Sequence, residues 1–245
     1  MNINSINNSF HKFINRNLGT MLIYHSVVNI PLKFTMWPHI DASLFEEHMS
    51  LIAKESNAVS LKELIKGIET GKLPQNAVVV TFDDGFRNNY TNAYPILKKY
   101  NIPATIFLST GAIGTDSLFW PEKLAYILMN AKSPFVSHEK LGDIDLSDNI
   151  KMKETYAYIT KYVKQYSNEE IHEIIEDLKQ LLEVAYNKED RLYKELMPLD
   201  WDEVSIMRKD GLVDFGGHTE NHIILARHPR ERVIREIVNC KTDLD

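Results

Sequence analysis

The chain has 245 residues, 44% of them hydrophobic and 25% charged, with a net charge of −6 from 28 basic and 34 acidic side chains. This is an ordinary globular composition that excludes collagen-like, low-complexity and disordered chains. With no long Lys/Arg run to offset the acidity, nucleic acid is not expected as the main ligand. No apolar run, Ala77 to Phe82 included, is long enough to span a bilayer. The lone cysteine, Cys240, excludes an intrachain disulfide and a cysteine-based zinc site, so any metal must be held by His, Asp or Glu.

The first twenty residues lack the continuous apolar core of a signal peptide, which points to a cytoplasmic protein. Phe10, Phe13, Ile14 and Leu18 fall at helical spacing and predict a short packed helix. Met21 to Val28 is a β-rich apolar run and reads as the first strand. Ser43 with Glu46, then Ser60 with Glu63, are capping-box patterns that predict two helices, the second running to about Glu69. Ala77 to Phe82 reads as a buried strand that ends in Asp83-Asp84-Gly85. A helix over about Asn89–Tyr100 and a strand over Ala104–Thr110 complete a βαβ unit, and hence a parallel sheet.

Residues 116–200 differ in character, with 17 acidic and 11 basic residues. A helix is expected over Phe119–Met129. Another follows the Ser167/Glu170 capping box, with Ile171, Ile174, Ile175, Leu178, Leu181, Leu182 and Ala185 at helical spacing. No strand is expected there, and the stretch reads as a helical insertion with a solvated acidic face. From Trp201 the α/β pattern resumes. A helix ends at Gly211, a strand runs over Leu212–His218, and a last helix covers Glu231–Asn239. Trp120 and Trp201 read as packing residues, and Cys240 as an unreactive thiol on a helix face. His11, His39, His48, His138, His172 and His228 read as surface or helix positions.

Two segments carry candidate chemistry. In Thr81-Phe82-Asp83-Asp84-Gly85, adjacent carboxylates follow a parallel strand, where barrel enzymes place their sites. The same letters also make an ordinary turn. In His218-Thr219-Glu220-Asn221-His222, two imidazoles four residues apart can meet one metal, although such spacing also arises by chance in a chain with nine histidines. Together they are stronger, because both follow strand-like runs. One carboxylate with two imidazoles leaves coordination positions open, and the second carboxylate is then available as a base.

The TFDDG segment followed by His-Thr-x-x-His resembles the polysaccharide deacetylases of the NodB-homology group, carbohydrate esterase family 4. Leu22-Ile-Tyr-His-Ser-Val27, Ala104–Thr110 and Leu212–Leu225 are similar to further parts of that family. The resemblance implies an α/β fold, a partial or distorted (β/α) barrel over residues 1–245 with the helical insertion at 116–200. It implies metal-dependent removal of N-acetyl groups from an N-acetylated polysaccharide or glycan precursor, releasing acetate. Asp83 would be the general base. Asp84, His218 and His222 would hold a divalent metal, zinc being the usual ion. His25 is a candidate to touch substrate or the metal's water, and Thr219 to orient its loop through its hydroxyl.

The later Arg-x-Pro-Tyr-like, Asp/Trp and Leu-x-His segments of the family do not follow His222. The arginine, the oxyanion amide and the acid histidine of that pattern are therefore missing, and the expectation is a C-terminally incomplete deacetylase domain. Two other readings stand beside the deacetylase: a deacylase of a smaller amide, and a degenerate domain that binds metal or glycan without turnover.

Overall fold

The computed structural model describes residues 18–36 and 38–245. The expected N-terminal helix with Phe10, Phe13 and Ile14, together with His11, lies outside the described residues. In chain order the elements are β1 (Gly19–Tyr24), β2 (Ser26–Val28), β3 (His39–Asp41), α1 (Ala42–Glu55), β4 (Asn57–Ala58), α2 (Leu61–Thr70) and β5 (Ala77–Phe82). A π-helical turn (Asn89–Ala93) leads into α3 (Tyr94–Tyr100), followed by β6 (Ala104–Leu108), α4 (Trp120–Met129), β7 (Phe135–His138) and β8 (Gly142–Asp145). Then come α5 (Asn149–Val163), α6 (Asn168–Leu181), α7 (Arg191–Leu196), α8 (Trp201–Asp210), β9 (Val213–Gly217) and α9 (Arg230–Leu244). The chain divides into two compact units, one of Met1–Asn29, Ile40–Leu108 and Leu199–Gly216, the other of Ile30–His39, Ser109–Pro198 and Gly217–Asp245.

The first unit is built on a sheet in the order β1-β5-β6-β9. β1 runs parallel to β5 along its whole length, from Gly19 beside Ala77 to Tyr24 beside Phe82. On the other edge of β5, β4 takes Ala77 and Val78, and β6 takes Val80 to Phe82. Every β5 residue is buried, which is why this strand, broken only by Thr81, reads as an apolar run rather than an alternation. Phe45, Met49 and Ile52 of α1 are buried. Phe45 meets Tyr24 edge-on at 5.1 Å and Phe82 at 5.7 Å.

Helix ends in this unit follow local chemistry. Ser60 and Glu63 form the expected capping box, and α2 stops at Gly71 in the left-handed region. Ser43, in contrast, is not the cap of α1. Asp41 has extended backbone and its carboxylate accepts both the Ser43 amide and hydroxyl, which moves the start two residues upstream. The helix expected from Asn89 opens instead with the π turn. α8 has an Asp200/Glu203 capping box and ends at Gly211.

The second unit buries a large helical core. Leu124, Ile127 and Leu128 of α4, Ile159 and Val163 of α5, and Ile171, Ile174, Ile175 and Leu178 of α6 meet in it, with Tyr193 and Leu196 of α7. The Ser167/Glu170 capping box starts α6 as expected, whereas Leu181 and Ala185 face solvent. The expectation of no strand in 116–200 is wrong. β7 and β8 form an antiparallel hairpin, Phe135 beside Asp145 through His138 beside Gly142. Two four-residue strands, one of them Gly-Asp-Ile-Asp, carry too little alternation to register as a period.

Two histidines expected at surface or helix positions are instead buried in strands. His39 faces the buried Glu122 at 3.4 Å. His138 accepts the Lys140 and Leu141 amides at Nδ1. Each is compensated by a polar partner, the usual condition for burying an imidazole. Trp120 packs in the core as expected, but Trp201 is exposed at the start of α8. Among the described residues no helix is long and apolar enough to cross a membrane.

Candidate active site

The acidic loop belongs to the first unit. β5 delivers Asp83 to the end of the sheet, where its amide donates to the Tyr24 carbonyl at 3.0 Å and continues the β1 pairing by one residue. The Gly85 amide then donates to the Asp83 carbonyl at 2.9 Å, closing a three-residue turn across Asp84. Asp84 has φ 71° and Gly85 φ 84°. Gly85 takes its positive φ without steric cost. At Asp84 it is a strained conformation for a residue with a Cβ. The two neighbouring carboxylates end in different surroundings: Asp84 is 5% exposed, and the Asp83 side chain 22%.

His25 sits against this turn, with Nε2 3.9 Å from Oδ2 of Asp83. That is too long for a hydrogen bond and within reach of a charge interaction. Three asparagines after the turn hold the His25 segment. Asn88 accepts the Val27 amide and donates to the Ser26 hydroxyl, Asn89 donates to the His25 carbonyl, and Asn92 donates to the Val27 carbonyl. Nearby, burial pushes the Tyr24 hydroxyl up to about 12, and that hydroxyl lies 3.1 Å from Nδ1 of His48. The asparagines gave no signal in the sequence, because their partners lie 61 to 65 residues away.

The histidine loop belongs to the second unit. The His218 carbonyl accepts the Ser109 hydroxyl at 3.0 Å. The Thr219 and Glu220 carbonyls accept the Thr110 and Gly111 amides at 3.2 and 2.8 Å. A Cβ on Gly111 would lie 2.8 Å from the Glu220 oxygen, so only glycine allows this approach. From the other side the buried Glu236 of α9 accepts the Asn221 amide at 2.8 Å and its side-chain nitrogen at 3.1 Å. Thr219 and His222 have φ of 68° and 51°. Among the described residues, three of the six non-glycine residues with positive φ are therefore Asp84, Thr219 and His222. Backbone strain of this kind gathers at functional sites. The Thr219 hydroxyl is buried without a hydrogen-bond partner. Its expected orienting role is taken by its carbonyl.

The rings of His218 and His222 lie 5.5 Å apart, and Phe119 meets His222 edge-on at 5.3 Å. Beside His222 is a cavity of about 220 Å³, lined by Phe119, Trp120, Asn168, His172 and Asn221 among others. Burial, reinforced by the Lys123 charge, holds the His172 imidazole below its ordinary value. Asn168 and His172 come from α6 and were not singled out in the sequence.

Asp84 in the first unit, and His218 and His222 in the second, each carry a donor atom of the kind that divalent metal ions take. One carboxylate and two imidazoles are a donor set for zinc and similar divalent ions, short of the four protein ligands of a closed structural site.

The sequence matches the family described as polysaccharide deacetylase over residues 70–138 and 143–245. The chain belongs to the polysaccharide deacetylase family. Solved deacetylase structures share its fold. One is the Streptococcus pyogenes deacetylase PplD in complex with acetate, with TM-score 0.52 and 18% identity over 92% of this chain and 67% of that one. Another is IcaB from Ammonifex degensii, with TM-score 0.53 and 17% identity over the same shares.

Among curated proteins, the poly-β-1,6-N-acetyl-D-glucosamine N-deacetylase of Staphylococcus epidermidis is 49% identical over 67 residues, 27% of this chain and 23% of that protein. The Staphylococcus aureus enzyme of the same description is 40% identical over 79 residues, 32% of this chain and 27% of its own length. The match thus spans about a quarter of these relatives.

Proposed function

We propose that the protein is a metal-dependent hydrolase that removes N-acetyl groups from an N-acetylated glucosamine polymer or its precursor. The observation that carries this reading is the division of labour between Asp83 and Asp84. Two carboxylates on consecutive residues have different exposure, and such pairs separate into different chemical roles. Asp84, buried and fixed by its turn, joins His218 and His222 as a ligand to a divalent cation, zinc or a similar ion. When bound, that ion supplies Lewis acidity toward an acetamide carbonyl and lowers the pKa of water.

Asp83, more accessible, takes the proton from the attacking water. His25, 3.9 Å from Asp83, stands where it can touch the substrate or the attacking water. The amide C–N bond breaks, acetate leaves, and the sugar nitrogen takes a proton and departs as a free amine. The description of the staphylococcal relatives supports β-1,6-linked poly-N-acetylglucosamine as the first substrate to try.

The test is acetate release by the full chain, loaded with zinc, from β-1,6- and β-1,4-linked N-acetylglucosamine oligomers. Asp83→Asn should abolish release and leave bound zinc unchanged, while His218→Ala should lose the zinc itself. Activity retained in Asp83→Asn would remove Asp83 as the base. Zinc bound without acetate release from any amide would favour a domain that binds without turnover.

A further inference from the structure

A second cavity in the unit of residues 30–39, 109–198 and 217–245 shares no lining residue with either motif loop. Its volume is about 780 Å³, inside the roughly 300–1,000 Å³ of small-molecule sites. One wall is formed by Thr35, Met36 and His39, and the other by a single face of α5, Thr160 included, and Lys164 at its C-cap. On that face Tyr156 and Ala157 supply apolar surface, and Lys153, Lys161 and Lys164 surround it. Residues 153, 157, 161 and 164 recur at helical spacing, so the three ammonium groups share one side of the helix.

Charge and shape agree on an occupant. The stretch 116–200 has 17 acidic and 11 basic residues, and its other lysines mostly sit in ion pairs, such as Lys151 with Glu154 and Lys188 with Asp116. Among the described residues none of Lys153, Lys161 and Lys164 pairs with a carboxylate. His39, on the opposite wall, faces the buried Glu122. A cleft with mostly apolar lining and three uncompensated ammonium groups at its rim suits a ligand with an apolar chain and a compact anion. Lysine binds phosphate as a point charge.

We infer that this cleft binds a single-chain lipid phosphate, its head at Lys153, Lys161 and Lys164 and its chain over Met36, Tyr156 and Ala157. The test is calorimetric titration of the full chain with dodecyl phosphate below its micelle concentration, beside inorganic phosphate and the neutral dodecyl maltoside. Saturable binding of dodecyl phosphate is expected, tighter than either control and weaker by roughly four-fold for each methylene removed from the chain.

The combined Lys153→Gln, Lys161→Gln and Lys164→Gln variant should bind at least about ten-fold more weakly, since charge-assisted contacts are lost. Ala157→Trp should block the cleft. Both changes fall on exposed positions of α5 or its C-cap, and circular dichroism confirms that each variant is folded. Equal binding of dodecyl maltoside, equal binding of inorganic phosphate, or unchanged binding in both variants would overturn the assignment. So would the absence of saturable binding. None of these readouts depends on deacetylase activity.

Discussion

The acidic loop after β5 and the histidine loop after β9 do similar work with different supports. Both leave a strand of the sheet, and both place left-handed residues where a side chain must point a fixed way. The acidic loop is held by main chain. Asp83 extends the pairing with β1, Gly85 closes the turn, and the Leu199 amide donates to the Gly85 carbonyl at 2.9 Å. The histidine loop rests in part on a buried side chain, Glu236, which grips Asn221 between the two imidazoles. Main-chain anchoring tolerates substitution, because the bonded groups persist whatever side chain is present. Anchoring through one buried carboxylate does not.

Glu236→Ala should therefore be the most disruptive of the changes considered at the two loops. It leaves the Asn221 amide and side-chain nitrogen without their acceptor, and bonds to a charged group are worth roughly 1.5–3 kcal/mol. A loss of about 3 kcal/mol in urea unfolding is expected, together with weaker zinc binding in the folded protein. A loss below about 1 kcal/mol would show that the histidine loop, too, is held by its main chain.

Next in size is Gly217→Ala. The new Cβ would lie 2.7 Å from the Cys240 sulfur, which is itself buried. Overpacking of this kind should cost about 1–2 kcal/mol. Cys240→Ala should restore most of it in the double variant, a coupling expected only of residues in contact. Additive losses would mean that the strand end, not the helix contact, sets the entry to the loop.

This contrast also explains what the sequence made legible. β5, the TFDDG turn and the Ser60/Glu63 and Ser167/Glu170 caps could be read directly, because each is decided by residues within a few positions of one another. Asp41 displaced the expected cap because its carboxylate, two residues upstream, takes the Ser43 amide and hydroxyl and draws Ser43 into the first turn. Asn88, Asn89 and Asn92 were not legible as the clasp on His25, nor Glu236 as the clasp on Asn221, since a single sequence does not reveal polar pairs made across the fold. The candidate ligands were visible as letters at a spacing. The scaffold that aims them was not.

A pH experiment tests the surroundings of the histidine loop. Burial lowers the His172 pKa from its ordinary 6.5. Below 6.5 the unfolded chain takes up a proton that the folded protein resists, so the unfolded state binds more protons there and stability falls as pH drops. Above 6.5 both states are neutral and the full stability is present. In His172→Gln this part of the acid sensitivity should be lost, seen as a shallower fall of urea midpoints between pH 6.5 and 5. Equal slopes would indicate that water reaches the cavity beside His222 freely.

The smallest effect is expected at Thr219, and it separates the two kinds of anchoring most cleanly. Its hydroxyl is buried with no hydrogen-bond partner, while its carbonyl accepts the Thr110 amide. Thr219→Val keeps the β-branched shape, the strained φ and the carbonyl, and removes only the hydroxyl. A buried polar group without a partner lowers stability, so the variant should be neutral or more stable by about 0.5 kcal/mol, with zinc binding unchanged. Thr219→Gly relieves the positive φ as well and should be more stable still if strain is stored there. A destabilised Thr219→Val would mean that the hydroxyl does hold the loop, and that the histidine loop depends on side chains even where its main chain is bonded.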